Sequence, residues 1–161
     1  MEVKGEGHMF ADLHAIAAFC GELVEAQTYI GDIPETKAIP SLCFPPPRIA
    51  DGPGSVSSFR KTYTLAIRVI QATDSQAFLA AERIADGIRY ARYRIPELDE
   101  VGNATGGYLR IDRLELRMAG TGEAELAAEW SRQSSYSRES YARINTLHVA
   151  GRLKNDGEAA E

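Results

Sequence analysis

The sequence predicts a single domain that mixes helices and strands, and three stretches carry that reading. Phe59 to Ile70 alternates, placing Tyr63, Leu65, Ile67 and Val69 on one face of a strand. Phe78, Ala81, Ile84, Ala85 and Ile88 recur at intervals of three and four, which draws an apolar stripe down a helix. Tyr108 to Met118 and Glu123 to Ser135 read as two strands closed by Ala119-Gly-Thr-Gly122. A unit of this kind makes surfaces and edges rather than a reactive centre.

The remaining elements follow in chain order. Met9, Phe10, Leu13, Ile16 and Ala17 have helical spacing, and Gly21 marks the expected stop or break. Between Glu22 and Ile30 the chain leaves this helix and enters a short strand near Gln27 to Ile30, with a turn at Gly31-Asp-Ile-Pro34. Ile39 to Phe44 is a short strand ended by Pro45, Pro46 and Pro47, whose missing amide donors confine them to a sheet edge or take them out of the sheet. Asp51, Gly52, Pro53 and Gly54, with Ser55, form a loop that is either a plain connector or a protrusion that orders against a neighbour.

Asp74 is the expected N-cap of the second helix, and Gly87 within it lets the helix approach the sheet closely. Arg94-Ile-Pro96 ends that helix, because the residue before a proline is pushed out of helical geometry. Leu98 to Gly107, including Asn103 and Thr105, reads as loop. Leu109 and Ile111 share one parity while Leu114, Leu116 and Met118 share the other, so a bulge near Asp112 is expected. Glu123 to Ser135 turns Ala124, Leu126, Ala128 and Trp130 inward and leaves Glu123, Glu125 and Glu129 outward. Tyr141 to Ala150 is a last strand or a short docking helix; the domain spans 1–150, and 151–161 is a polar, mobile tail.

At 161 residues the chain can bury a core without disulfides or metal. Its net charge of -5 and scattered arginines do not favour a nucleic-acid-binding surface. No apolar run approaches the roughly 20 residues needed to cross a bilayer, so no membrane association is expected. The N-terminus does not resemble a secretion signal, and a reducing cytoplasm is the expected compartment. Cys20 and Cys43 both lie among apolar residues and read as small buried hydrophobes; two cysteines do not make a disulfide framework.

Chemistry is hard to find. His8, His14 and His148 lack ligand spacing, and there is no Cys-x-x-Cys pair or Asp-rich loop, so no metal or cofactor is expected. Gly102 to Gly107 lacks the Gly-Lys-Ser/Thr ending of a phosphate loop and precedes a strand. Ser134, Ser135 and Ser137 have no neighbouring histidine in sequence to activate them. The hairpin carboxylates alternate as solvent-facing strand residues do, and no catalysis is expected.

The order of these elements resembles the tail terminator (tail completion) proteins of long-tailed bacteriophages, also called minor capsid or minor tail proteins. The likeness rests on the N-terminal helix, Ile39-Pro-Ser-Leu-Cys-Phe44 with its prolines, and Lys61-Thr-Tyr-Thr-Leu-Ala-Ile-Arg-Val69. It continues through the Ala77 to Tyr90 helix, Arg94-Ile-Pro96, the Tyr108 to Met118 strand, and Gly120-Thr-Gly-Glu-Ala-Glu-Leu126 leading into Trp130-Ser-Arg-Gln-Ser-Ser-Tyr136, so it covers about Met9 to Tyr136. It implies an α+β domain, a mostly antiparallel β-sheet with α-helices packed on one face. It also implies a hexameric ring in the virion, capping the tail tube and facing the head–tail connector while DNA passes through the lumen without specific binding.

In that role the protein is assembled in the host cytoplasm. Its partners are other copies of itself, the tail tube protein and the connector protein. Candidate contact residues are Asp51, Gly52, Pro53, Gly54, Asn103 and Thr105 in the two loops, and Glu123, Glu125 and Glu129 on an acidic exposed face. Two other classes stay open: a head–tail connector or stopper of the neck, and a small ligand-binding domain or enzyme with a cleft between sheet and helix.

Overall fold

In the computed structural model, which describes residues 6–137, ten elements follow one another. They are α1 (Glu6–Leu23), β1 (Gln27–Ile30), β2 (Ser41–Phe44), β3 (Arg48–Ser55), β4 (Ser58–Ile70), α2 (Asp74–Tyr90), β5 (Arg94–Leu98), β6 (Ala104–Arg110), β7 (Arg113–Gly120) and β8 (Glu123–Ser135). The expectations for Tyr141 to Ala150 and for 151–161 lie outside the described residues.

The main sheet runs β1-β2-β4-β8-β7, with β3 lying beside β4 on the same side as β2. Only β1 and β2 are parallel; the other pairs are antiparallel. The backbone of the sheet is the β4–β8 ladder, in register from Ser58–Ser135 to Ile70–Glu123. Its inward residues alternate as expected, with Tyr63, Leu65, Ile67 and Val69 facing the same core as Ala124, Leu126, Ala128 and Trp130. The helices and the β5–β6 hairpin cover this face, and the fold is α+β.

Several expectations are corrected by tertiary context. Helix α1 continues through Gly21 to Leu23, because Leu13, Ile16, Cys20 and Val24 keep one buried face in step across the glycine. The cap of α2 is Thr73, whose hydroxyl accepts from the amide of Gln76; Asp74 instead accepts a hydrogen bond from the Gly122 amide at the β7–β8 turn. The buried stripe of α2 is Ala77, Ala80, Ala81, Ile84, Ala85 and Ile88, and Phe78 faces out. Gly87 abuts the Leu23 side chain, so its close approach is to α1 and not to the sheet.

The stretch after α2 is also different. The helix stops at Tyr90, before Arg92 and Tyr93 adopt positive φ, and Arg94-Ile-Pro96 belongs to β5. The parity change near Asp112 marks a change of sheet instead of a bulge: β6 pairs with β5 in the small sheet, and β7 pairs with β8 in the main one. Ile111 and Asp112 form the crossing, with the amide of Ile111 bonded to Tyr93 and that of Asp112 bonded to Glu129.

Candidate assembly surfaces

The expected loop Asp51 to Ser55 is the end of β3. Asp51 pairs with Lys61, Gly52 with Arg60 and Pro53 with Phe59, and the register shifts between Pro53 and Ser55. Pro53 is tolerated because the outer edge of β3 is unpaired among the described residues, so its missing amide breaks no ladder. Gly54 lies so close to Ser58 that a Cβ there would sit 2.9 Å from the Ser58 hydroxyl. The Ser55 and Ser58 hydroxyls, 2.7 Å apart, close the hairpin behind a fully exposed Val56.

Asn103 and Thr105 sit in the second hairpin, where β6 begins earlier than the sequence suggests. The Asp99 carboxylate accepts from the amides of Val101 and Asn103 and so draws the turn together. The Thr105 hydroxyl donates to the Glu97 carbonyl and accepts from the Gly107 amide. Both hairpins are therefore hydrogen-bonded arms, set on different parts of the molecule.

Glu123, Glu125 and Glu129 all lie on the sheet face opposite the helices, but that face is not uniformly acidic. Cross-strand pairing sets Arg117 opposite Glu125 and Arg113 opposite Glu129. Arg117 donates Nε and Nη2 to the Glu125 carboxylate, each at 3.1 Å. Arg68 approaches Glu123 at 3.5 Å. Arg48, at the start of β3, lines the same shallow groove as Arg113, Glu115 and Glu129. The strand alternation that turned the glutamates outward also turned arginines of β3, β4 and β7 to that side, which the β8 sequence alone could not reveal.

Beneath the other face, a polar knot fixes the hairpin β5–β6 to the core. Asp12 of α1 is 2% exposed, and its carboxylate accepts from Trp130 Nε1 at 3.0 Å and from Arg132 Nε and Nη2. Arg132 Nη2 also reaches Glu97 of β5 at 2.8 Å. Trp130 stacks on Tyr63, with ring centroids 5.4 Å apart. Hydrogen bonding to Asp12 holds the Arg132 guanidinium above its ordinary pKa, and burial raises the Tyr63 phenol. No sequence signal linked these residues, because they lie on four separate elements.

A surface missed by the sequence reading lies where α2 meets the end of β7. Phe78, Leu79 and Met118 are 43%, 63% and 40% exposed, and with Asp74 and Ser75 they line an apolar groove of about 430 Å³. The signal was available in the alanines: Ala77, Ala80, Ala81 and Ala85 are the small residues that let α2 lie close on the sheet, which turns Phe78 away. Among the described residues there is no cluster of three metal-ligating side chains, and Cys20 and Cys43 are buried free thiols. No helix among them is long and apolar enough to cross a membrane.

No protein-family model matches the chain. It is 35% identical over 130 residues to the phage-like element PBSX protein XkdJ of Bacillus subtilis (strain 168), covering 81% of this chain and 89% of that one. It is 34% identical over 146 residues to the uncharacterized protein YqbJ of the same organism, covering 91% of this chain and 100% of that one. Among solved structures, a chain from the virion of a native gene transfer agent particle aligns over 83% of this chain and 99% of its own, at 14% identity and a TM-score of 0.49. That structural likeness is too slight to carry an argument.

Proposed function

The chain belongs to the family of the phage-like element PBSX protein XkdJ, and from that premise we propose that it is a structural protein of a phage-type tail. In this reading copies assemble as a ring, probed first as a hexamer, on the end of the tail tube. The ring stops tube growth and presents its far side to the head–tail connector. DNA passes through the lumen without specific binding, and assembly takes place in the host cytoplasm before the ring enters the virion.

The observation that carries the reading is that membership, since its relative is a protein of a phage-like element. The architecture supports it. The outer edges of β1, β3 and β7 have no strand partner among the described residues, and such edges suit lateral contact between copies. The paired arginines and glutamates of the open sheet face present little net charge of either sign, so a polyanion has no basic stripe to grip.

In this account Asp51, Gly52, Pro53 and Gly54 on one arm, and Asn103 and Thr105 on the other, contact the tube or a neighbouring copy. Glu123, Glu125 and Glu129 face the lumen or an adjoining ring. The test is binding of the purified protein to isolated tail tube protein and to connector protein, read by co-sedimentation. Binding to tube ends supports the terminator role; binding only to the connector assigns the chain to the neck instead.

A further inference from the structure

Arg94 of β5 and Arg110 of β6 are direct cross-strand partners, so two exposed like charges face each other on the outer side of the small hairpin. Arginines of the main sheet are placed otherwise: Arg68 and Arg117 lie opposite Glu125, and Arg113 lies opposite Glu129. Among the described residues Arg92, Arg94 and Arg110 form no ion pair. The acids of the same stretch are engaged or distant. Glu97 turns under the hairpin to Arg132, and Asp99 accepts from the turn amides. Asp112 accepts from the Ser131 hydroxyl, and Glu100 stands in the turn at the hairpin's far end.

An aromatic ring and a proline complete the patch. The Arg94 guanidinium lies over the Tyr108 ring at 5.3 Å, Tyr108 is 58% exposed, and the ladder sets Pro96 opposite it. Arg92 and Tyr93, in the turn just before β5, have φ of 56° and 59°, a disfavoured conformation for such side chains. Like-charge repulsion and a strained backbone thus fall at one place. The Glu97–Arg132 pair holds the hairpin from beneath, so the face is preset.

We infer that this face, with Arg94, Arg110 and Tyr108 at its centre, is the docking site for a short acidic segment of a partner protein. Opposed strand residues have Cα atoms about 5 Å apart, so two guanidinium groups there can converge on one carboxylate or on two at alternate positions of an extended segment. Arginine and tyrosine are also the side chains that dominate contact energy between proteins. A nucleic acid fits less well, because it would run beyond three arginines onto a chain of net charge -5. The inference rests on the reading that the arm bearing Asn103 and Thr105 meets another protein, and it names the chemistry of that contact.

The test titrates full-length protein into a fluorescein-labelled peptide of about ten residues alternating glutamate and alanine, which sets its acids on one face when extended. Anisotropy is expected to report binding at low salt that weakens as salt is added. Arg110→Gln is expected to weaken it about tenfold, and the Arg94→Gln/Arg110→Gln double variant to abolish it. Arg83→Gln, at an exposed arginine of α2 without an ion pair, is expected to change nothing. Relief of the like-charge pair should leave the urea midpoint of Arg110→Gln equal to or above the parent's, which separates a docking role from a structural one.

A lower midpoint overturns the inference, as does absent peptide binding or binding indifferent to both arginines. Tighter arginine-dependent binding of labelled oligothymidylate overturns it in favour of nucleic acid. Self-association that disappears in the double variant, without peptide binding, overturns it in favour of a second copy. Tubes capped as before by the double variant reject this contact and keep the capping role. Arginine-dependent peptide binding by a protein that leaves tubes uncapped keeps the docking site and rejects that role.

Discussion

Arg132 of β8 grips the Asp12 carboxylate of α1 with two donors, at 2.8 and 2.5 Å, although 120 residues separate them. The same carboxylate holds the indole N–H of Trp130, and the same guanidinium holds Glu97 of β5. One ion pair thus joins the first helix, the last described strand and the base of an exposed hairpin. Such a buried pair costs desolvation and adds little net stability, but removing Asp12 leaves the indole N–H of Trp130 without its acceptor and Arg132 with Glu97 alone.

Asp12→Ala is therefore expected to destabilise the fold by about 3 kcal/mol or more, because Arg132 and the indole N–H of Trp130 lose their shared acceptor. Urea unfolding followed by tryptophan fluorescence checks this directly, since Trp130 is the sole tryptophan. A loss under 1 kcal/mol would mean that water replaces the carboxylate at little cost.

Gly122→Ala is expected to cost about 2 kcal/mol in the same assay. Gly122 has φ +66°, and an added Cβ would meet the Gln71 carbonyl at 2.6 Å. That carbonyl is backbone and cannot swing aside as a side chain can. An unchanged midpoint would show that the β7–β8 turn can refold around the methyl group.

The N-cap assignment separates two neighbouring residues. Thr73→Ala removes the hydroxyl that accepts from Gln76 and is expected to cost about 1 kcal/mol. Thr73→Ser keeps that acceptor and is expected to restore most of the loss. Equal losses in both variants would tie the effect to the threonine methyl and dismiss the cap.

Burial pushes the Cys20 thiol from its ordinary 9.0 up to about 12. The folded state therefore holds this proton where the unfolded chain releases it. The stabilising contribution is whole below pH 9 and declines as pH rises from there towards 12, by up to about 1.4 kcal/mol per pH unit. Cys20→Ala lacks this dependence, so its stability relative to the parent should improve steadily above pH 9. A constant difference between the two proteins across that range would contradict the burial effect.

Strand β4, strand β8 and the inward alternation of both were legible because period-two patterning is written in consecutive residues. The β3 strand was not, since Asp51-Gly-Pro-Gly carries turn chemistry and becomes a strand only because β4 offers it a partner. The crossing at Ile111 and Asp112 was visible as a broken parity, but a broken parity does not distinguish a bulge from a change of sheet. The outward glutamates of β8 were placed on the right face, whereas their arginine partners lie on other strands and needed the register to be known. The Asp12–Arg132 pair left no local trace at all.

The central claim is that this chain caps a phage-type tail tube, and polymerisation of the tail tube protein in its presence tests it most directly. Tube lengths and tube ends are measured by electron microscopy over a range of added protein. The account predicts that tubes stop growing, shorten in proportion to the protein supplied, and carry one ring of it at a single end. Tubes that grow to the same length without a ring at either end would contradict it.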